Sequence, residues 1–318
     1  MSEFKLINKY IKRAKTDDSV ILGIGDDAAV MTVPEGHQIV QTMDTMVLGT
    51  HFDRDFSADA LAHKLLHVNL SDIAAMGAVA KWATVALSMP DIKERWIAEF
   101  SAGLQDRCGL LGINLVGGDT TTGGLSVTMN LTGLTKNNQF LRRNGAKNGD
   151  DIYVSGFLGD AALALTDSGK HQASLLNRLR YPEARFELGE QLVGIASACL
   201  DVSDGLLVDL QHICNASDVS AEINVEDLLL SKAYQKHFER EQETLDFDFA
   251  LNGGDDYELC FTVPQNQQNK IKAVEQQLDY PITKIGRIVS NTQSSIISCQ
   301  MYSKPYICQR KGWEHFSD

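Results

Sequence analysis

Long apolar runs are absent from this 318-residue chain. No stretch approaches the roughly 20 residues that a bilayer-spanning helix needs, so no membrane role is expected. The opening MSEFKLINKYIKRAK lacks the apolar block of a signal peptide. Phe4, Ile7 and Ile11 fall at helical spacing, and a short amphipathic helix is expected there. Runs of Lys and Arg are missing too, and the formal net charge is −13. Binding nucleic acid through its phosphates is therefore disfavoured. The six cysteines, at 108, 199, 214, 260, 299 and 308, include no CxxC pair, which removes the common zinc and redox-dithiol patterns. Fixed-period repeats and low-complexity segments are also lacking. These absences lead to the expectation of a soluble, reduced, cytoplasmic protein with no membrane or nucleic-acid partner.

What is present is an ordinary globular composition, 43% hydrophobic and 22% charged, at a length that suits two domains. The first half alternates strand and helix patterns. HQIVQTMD (37–44), WATVALSM (82–89) and LSVTMNLTGL (125–134) read as strands; in the last, Leu125, Val127, Met129 and Leu131 share one face. Segment 57–77 reads as a helix capped by Ser57, with Asp59 in its first turn and Gly77 at its end. Segment 91–112 reads as a second helix after Pro90. The polar, Asn- and Gly-rich stretch 135–150 is the expected crossing between an N-terminal domain, 1–140, and a C-terminal one, 141–318. Beyond it a strand is expected at 151–156, then helices from Asp160 and over 182–197. Strand, acidic turn and helix are expected over 198–214, and an acidic turn feeding a strand over 252–263.

Aspartates recur at the ends of these elements, beside glycine or small polar residues. Asp26 and Asp27 follow Gly25, Asp44 ends a strand, and Asp72 sits late in a helix. Asp119 lies in LVGGDTT, Asp201 and Asp204 in LDVSDGL, and Asp255 and Asp256 in NGGDDYE. Singly, each suits a cap or a turn. As a set they fit that role less well, because adjacent carboxylates brought together without counter-charge repel. Carboxylates beside Gly-rich backbone suit a hard cation such as Mg²⁺, which bridges phosphate oxygens. Glycines let backbone N–H groups approach those oxygens. GxxxxGK[ST], a helix-opening GxGxxG, and the HRD and DFG pair are all absent. Residue pattern alone therefore stops at metal-dependent phosphate chemistry.

GIGDDAAV, TMDTMVLGTHF, VNLSDIAAMGA, LVGGDTT, RRNGAKNGDDIYVSG, LDVSDGL, NGGDDYELCFTV and KGWEHF occur in that order. Together they resemble the thiamine-monophosphate kinases, which belong to the PurM-like proteins, from the N-terminus nearly to the end. The resemblance implies an α/β (α+β) fold, with a sheet-plus-helices lobe that dimerises through its sheet and an α+β lobe after it. It also implies ATP-dependent phosphorylation of thiamine monophosphate to thiamine diphosphate by a homodimer using several Mg²⁺ ions. Carried over residue by residue, it assigns metal contacts to Asp27, Thr42, Met43, Asp44, Asp72, Asp119, Asp201 and Asp204. ATP falls to Gly118, Asp119, Arg143 and Ser203, and thiamine monophosphate to His51, Asp255 and Trp313. The family pattern has Thr at position 43, so Met43 would contribute backbone only. It has Glu at position 255, one methylene longer than Asp255, and its C-terminal aromatic varies in kind.

The chemistry agrees with this assignment. The nucleophile would be a phosphate monoester oxygen, whose second pKa is about 6, so no general base is required. No catalytic residue is expected beyond metal-assisted transfer, because positioning and charge stabilisation dominate phosphoryl transfer. Trp313 could offer its face to the thiazolium cation. The same fold could instead carry an aminoimidazole ribonucleotide synthetase or a non-catalytic nucleotide sensor, but GTHF and KGWEHF favour the kinase. Selenophosphate synthetase would want a reactive cysteine near the N-terminus, and the first here is Cys108.

Overall fold

The computed structural model describes residues 16–91, 93–291 and 296–312, so the expected N-terminal helix and Trp313 lie outside the described residues. The chain divides into two compact units. One is Met1–Ile73 with Ala78–Asn138, and the other is Ala74–Gly77 with Gln139–Asp318.

In the first unit, β1 (Val20–Leu22) and β2 (Val30–Met31) form a small antiparallel pair. β3 (His37–Val47), α1 (Ala58–Ala75), β4 (Val79–Met89), α2 (Glu94–Leu110), β5 (Asn114–Thr122) and β6 (Ser126–Lys136) follow. The sheet runs β3-β6-β4-β5. β6 is antiparallel to both its neighbours, while β4 and β5 are parallel and joined through α2, the crossover that parallel strands require. Period-two alternation decides the faces. Val127, Met129 and Leu131 are buried, and Ser126, Thr128 and Asn130 lie between them on the more open side. α1 is apolar around most of its girth, with Leu61, Leu65, Leu66, Leu70 and Ile73 all buried. Ser57 caps it as expected, its Oγ accepting the Ala60 N–H at 3.1 Å, and Gly77 follows with φ +65. Asp59 accepts two hydrogen bonds from the Arg107 guanidinium, at 2.7 and 3.0 Å, which ties α1 to α2.

The second unit holds β7 (Asp151–Ser155), α3 (Asp160–Ala164), α4 (Ala173–Arg180), α5 (Phe186–Leu192), β8 (Ala198–Val202), α6 (Leu206–Ser217) and β9 (Val219–Asn224). α7 (Lys232–Glu241), α8 (Asp248–Asn252), β10 (Glu258–Val263), α9 (Gln268–Glu275), β11 (Ile282–Ser290), β12 (Ile297–Met301) and β13 (Lys304–Pro305) complete it. Its seven-stranded sheet runs β13-β12-β9-β11-β7-β10-β8, antiparallel throughout except β9 with β12. β10 is buried along its whole length, and Leu259, Phe261 and Val263 pack with Leu188, Leu192 and Ile271.

Glu258 opens β10 with no exposed surface. Arg185 donates to both its oxygens at 2.6 Å, Ser155 Oγ donates at 2.6 Å, and Arg178 donates at 3.1 Å. A buried carboxylate is tolerable only with such complete pairing. The same pairing shortens the helix expected over 182–197. Arg185 leaves helical geometry (φ −93, ψ 49) as its side chain meets Glu258, and Gly194 takes φ +77, so only Phe186–Leu192 is helical. LVGGDTT, whose paired glycines would suit a turn, is part of β5. Among the described residues no helix is long and apolar enough to cross a membrane.

Candidate active site

In the first unit, the alternation of β3 separates neighbouring residues. Thr42 and Asp44 project toward α1, where Thr42 Oγ1 donates to Asp72 Oδ2. Asp44 is half-buried, and that desolvation together with the nearby Asp72 carboxylate raises its pKa to about 6. Met43 points the other way and is 62% exposed. Thr42, Asp44 and Asp72 are therefore brought together, and Met43 is not. Asp119 also stands apart. Strand pairing sets Asp44 in the row Met129–Val85–Gly118, and Asp119 in the adjacent row Thr45–Thr128–Ala86, on the opposite face. Among the described residues, no group of three or more His, Cys, Asp or Glu side chains converges to hold a metal ion unaided.

Gly118 packs so closely on β4 that a Cβ there would run into the Val85 carbonyl. Beside it an apolar pocket is lined by Val85, Leu87, Phe100, Leu104 and Leu115, together with residues 117–120. The turn at 23–27 explains the paired acids of GIGDDAAV. Asp26 Oδ1 accepts the Asp27 N–H at 2.9 Å, so Asp26 fixes the turn and leaves the Asp27 carboxylate exposed. Past β3, His51 Nδ1 accepts the Val47 N–H at 3.0 Å. The proton of a neutral His51 therefore sits on Nε2, which makes that nitrogen the donor of the ring.

In the second unit, β8 carries the buried Asp201 one residue before its end at Val202, and Ser203, Asp204 and Gly205 make the turn into α6. All three turn N–H groups donate to one oxygen, Asp209 Oδ2, at 3.0, 3.1 and 3.2 Å. The NGGDDYE turn docks on the same place. Asp255 N–H donates to the Ser203 carbonyl at 2.9 Å, and Tyr257 N–H to the Val202 carbonyl at 2.8 Å. Asp255 and Tyr257 both take left-handed backbone, φ +69 and +54, a cost that non-glycine residues bear where surrounding contacts hold them. Tyr257 Oη donates to Asp255 Oδ1 at 2.8 Å and so orients that carboxylate. Asp256 turns inward instead, accepting the Gly159 N–H on both oxygens at 2.9 and 3.0 Å. Asp201, Ser203, Asp204 and Asp255 are thus gathered, and Asp256 is structural.

Arg143 lies in a loop pinned from two sides. Ser217 Oγ accepts the Gly145 and Ala146 N–H groups and donates to the Arg143 carbonyl, while Cys199 N–H donates to the Arg142 carbonyl. The Arg142 guanidinium lies over the Phe140 ring at 5.3 Å, and Arg143 is exposed. Asp209 and Tyr257 are the residues that sequence reasoning missed. Asp209 carried a signal, since it sits five residues after Asp204 in the first turn of a helix and could reach back to the turn. Tyr257 carried none, because its role depends on left-handed backbone.

Residues 25–135 match the AIR synthase related protein N-terminal domain, and residues 147–298 match the corresponding C-terminal domain. These matches define the two-domain class expected from the motifs. A thiamine-monophosphate kinase from Haemophilus influenzae is 41% identical, over 100% of this chain and 99% of that protein. The crystal structure of thiamine-monophosphate kinase from Stenotrophomonas maltophilia K279a is 40% identical, with TM-score 0.84 over 96% of this chain and 98% of that one. AaThiL complexed with AMPPCP and TMP is 30% identical, with TM-score 0.76 over 98% of this chain and 96% of that one. The chain belongs to the thiamine-monophosphate kinase family.

Proposed function

We propose that this protein transfers the γ-phosphoryl group of ATP to the phosphate of thiamine monophosphate, giving thiamine diphosphate and ADP. The observation that carries this reading is family membership along the whole chain, including likeness to a relative complexed with AMPPCP and TMP. A phosphate oxygen of thiamine monophosphate forms the new O–P bond as the bond to the ADP oxygen breaks. That oxygen is already ionised near neutral pH, so the protein need hold no general base.

Magnesium, when bound, would supply the positive charge that offsets the phosphates of donor and acceptor. The donor set fits such an ion. Thr42, Asp44 and Asp72 supply hard oxygens at one point, and Asp44 and Asp72 repel each other until a cation joins them. Asp27, Asp119, Asp201, Asp204 and the Met43 backbone would hold further ions, each with a small number of protein ligands, as Mg²⁺ favours. Gly118 and Asp119 border the apolar pocket, whose Phe100 and Leu104 suit a flat nucleotide base. Ser203, fixed by Asp209 through its turn, and Arg143 would contact the ATP phosphates. His51 Nε2–H would donate to the acceptor phosphate. Tyr257-oriented Asp255 and Trp313 would bind the organic part of the substrate.

Two further features belong to this proposal, cytoplasmic residence and a homodimer built on the first-unit sheet. The dimer is supported by an apolar row across the open face, where Ile39 (56% exposed), Leu134 and Val79 (50% exposed) lie side by side on three strands. The test is purified protein with ATP, Mg²⁺ and thiamine monophosphate, followed for thiamine diphosphate, with free thiamine as control. Diphosphate formed from the monophosphate alone is the expected result. ATP bound without diphosphate would replace the kinase reading with that of a sensor.

A further inference from the structure

A short polar ladder crosses the open face of the first-unit sheet between β3 and β6. Gln41 pairs with Thr132, and Met43 with Asn130. Gln41 Nε2 donates to Asn130 Oδ1 at 2.9 Å, the diagonal reach of a long side chain across two strands, and to Thr132 Oγ1 at 3.4 Å. With its oxygen held by Gln41, the Asn130 amide turns its nitrogen to the backbone, and Nδ2 donates to the Thr42 carbonyl at 3.0 Å. A carbonyl only accepts, so that contact fixes which half of the amide faces it. Met43 stands directly opposite Asn130, and its side chain offers the amide neither an N–H nor an oxygen.

The Thr42 carbonyl belongs to the peptide that joins Thr42 to Met43. On the far side of the same strand, Thr42 Oγ1 donates to Asp72 Oδ2, and Asp44 feels the Asp72 carboxylate. β3 is an edge strand whose neighbour in the sheet is β6. Asp44 and Asp72 repel each other while no cation joins them, and that push falls on a strand paired from one side. Asn130 ties β3 back to β6 at the peptide between the two ligand-bearing residues.

We infer that Asn130 is a positioning residue for Mg²⁺ at Thr42, Asp44 and Asp72, acting from behind β3 through the Thr42–Met43 peptide, with Gln41 fixing its amide. The inference rests on the proposed placement of a cation at that cluster. A residue that served strand pairing alone would change melting temperature and leave metal affinity untouched. A residue that sets the depth of β3 changes metal affinity and spares the KM for thiamine monophosphate once Mg²⁺ is saturating.

The experiment titrates Mn²⁺ into nucleotide-free protein, read by electron paramagnetic resonance, and Mg²⁺ into the kinase assay. Wild type, Asn130→Leu, Gln41→Ala, Thr128→Val and Asp44→Asn are compared, with melting temperatures taken in EDTA. The Mn²⁺ site in question is the one that Asp44→Asn removes. Asn130→Leu keeps the size of the side chain and loses its bond, and should weaken that site about fivefold, the scale of one net hydrogen bond. The Mg²⁺ needed for half-maximal rate should rise by about the same factor, with the KM for thiamine monophosphate at saturating Mg²⁺ within about twofold of wild type. Gln41→Ala releases the amide without removing it and should act in the same direction by less. Thr128→Val breaks the 2.8 Å bond between Thr128 Oγ1 and Thr45 Oγ1 on the same face without touching the Thr42 carbonyl, and should leave both metal constants at wild type. An Asn130→Leu variant that melts lower but keeps both metal constants overturns the inference, as does equal weakening by Thr128→Val. If Asn130→Leu fails to fold, the exposed Gln41 carries the test, and metal constants unchanged in Gln41→Ala then overturn the inference. A wild type from which Asp44→Asn removes no Mn²⁺ overturns it as well. A wild type that binds Mn²⁺ through Asp44 but makes no thiamine diphosphate overturns the kinase reading alone and leaves Asn130 to the Mn²⁺ titration.

Discussion

Asp44 carries a conflict that the fold does not resolve by itself. Its carboxyl is raised to about 6 by burial and by Asp72, so the folded chain binds this proton more tightly than the unfolded chain does. Such a group stabilises least when ionised, and its contribution falls as pH rises from about 4 through 6. Asp44→Asn should therefore raise the melting temperature of the metal-free protein at pH 7 by about 2–4 °C while abolishing kinase activity. The gap between wild type and variant should shrink from pH 7 to pH 5 and close in saturating Mg²⁺ and ATP, which differential scanning calorimetry can follow. A variant less stable than wild type at pH 7 would remove the conflict from Asp44. Glu258 stands at the opposite pole, because its charge is fully met. Glu258→Gln leaves Arg185 buried with half its partner and should cost about 3–5 kcal/mol in chemical denaturation, far more than the loss of any exposed ion pair here.

At the scale of elements, the turn between β8 and α6 is held by one oxygen. Asp209→Ala strands three N–H groups and should both lower the melting temperature and raise the KM for ATP several-fold; Asp209→Asn, which keeps an acceptor, should fall between. A KM for ATP unchanged in the alanine variant would separate the turn from nucleotide binding. This element shows what could and could not be read beforehand. Strand, acidic turn and helix were legible over 198–214, because apolar runs and Asp-Gly punctuation are local signals. So was the α1 cap at Ser57. β5 was not legible, since Gly117 and Gly118 imitate a turn and only pairing with β4 makes them strand. Nor was the late start of α5, because the Glu258 that draws Arg185 inward lies 73 residues further on. The gathering of Asp201, Ser203 and Asp204 with Asp255 follows from β8 lying beside β10, a matter of strand order that no local pattern encodes.

For the whole molecule, the open face of the first-unit sheet makes the proposed dimer accessible to test. Ile39→Lys places a charge at the β3 end of the row formed with Leu134 and Val79, and should turn a sedimenting dimer into a monomer at micromolar concentration. A wild type that already sediments as a monomer would remove the dimer from the proposal. β3 is the strand on which that face and the carboxylate side meet back to back. Ile39 and Met43 look outward, while Thr42 and Asp44 look toward Asp72. Their alternation makes the strand behave like a two-column ledger in which every single-residue shift swaps the columns. A lone deletion between Ile39 and Asp44 would put the two sides of the strand out of phase, so that Ile39 could not face outward while Asp44 faces Asp72. Length variation within β3 should consequently be tolerated only in steps of two, a constraint that neither the metal-side residues nor the outward-facing ones would impose alone.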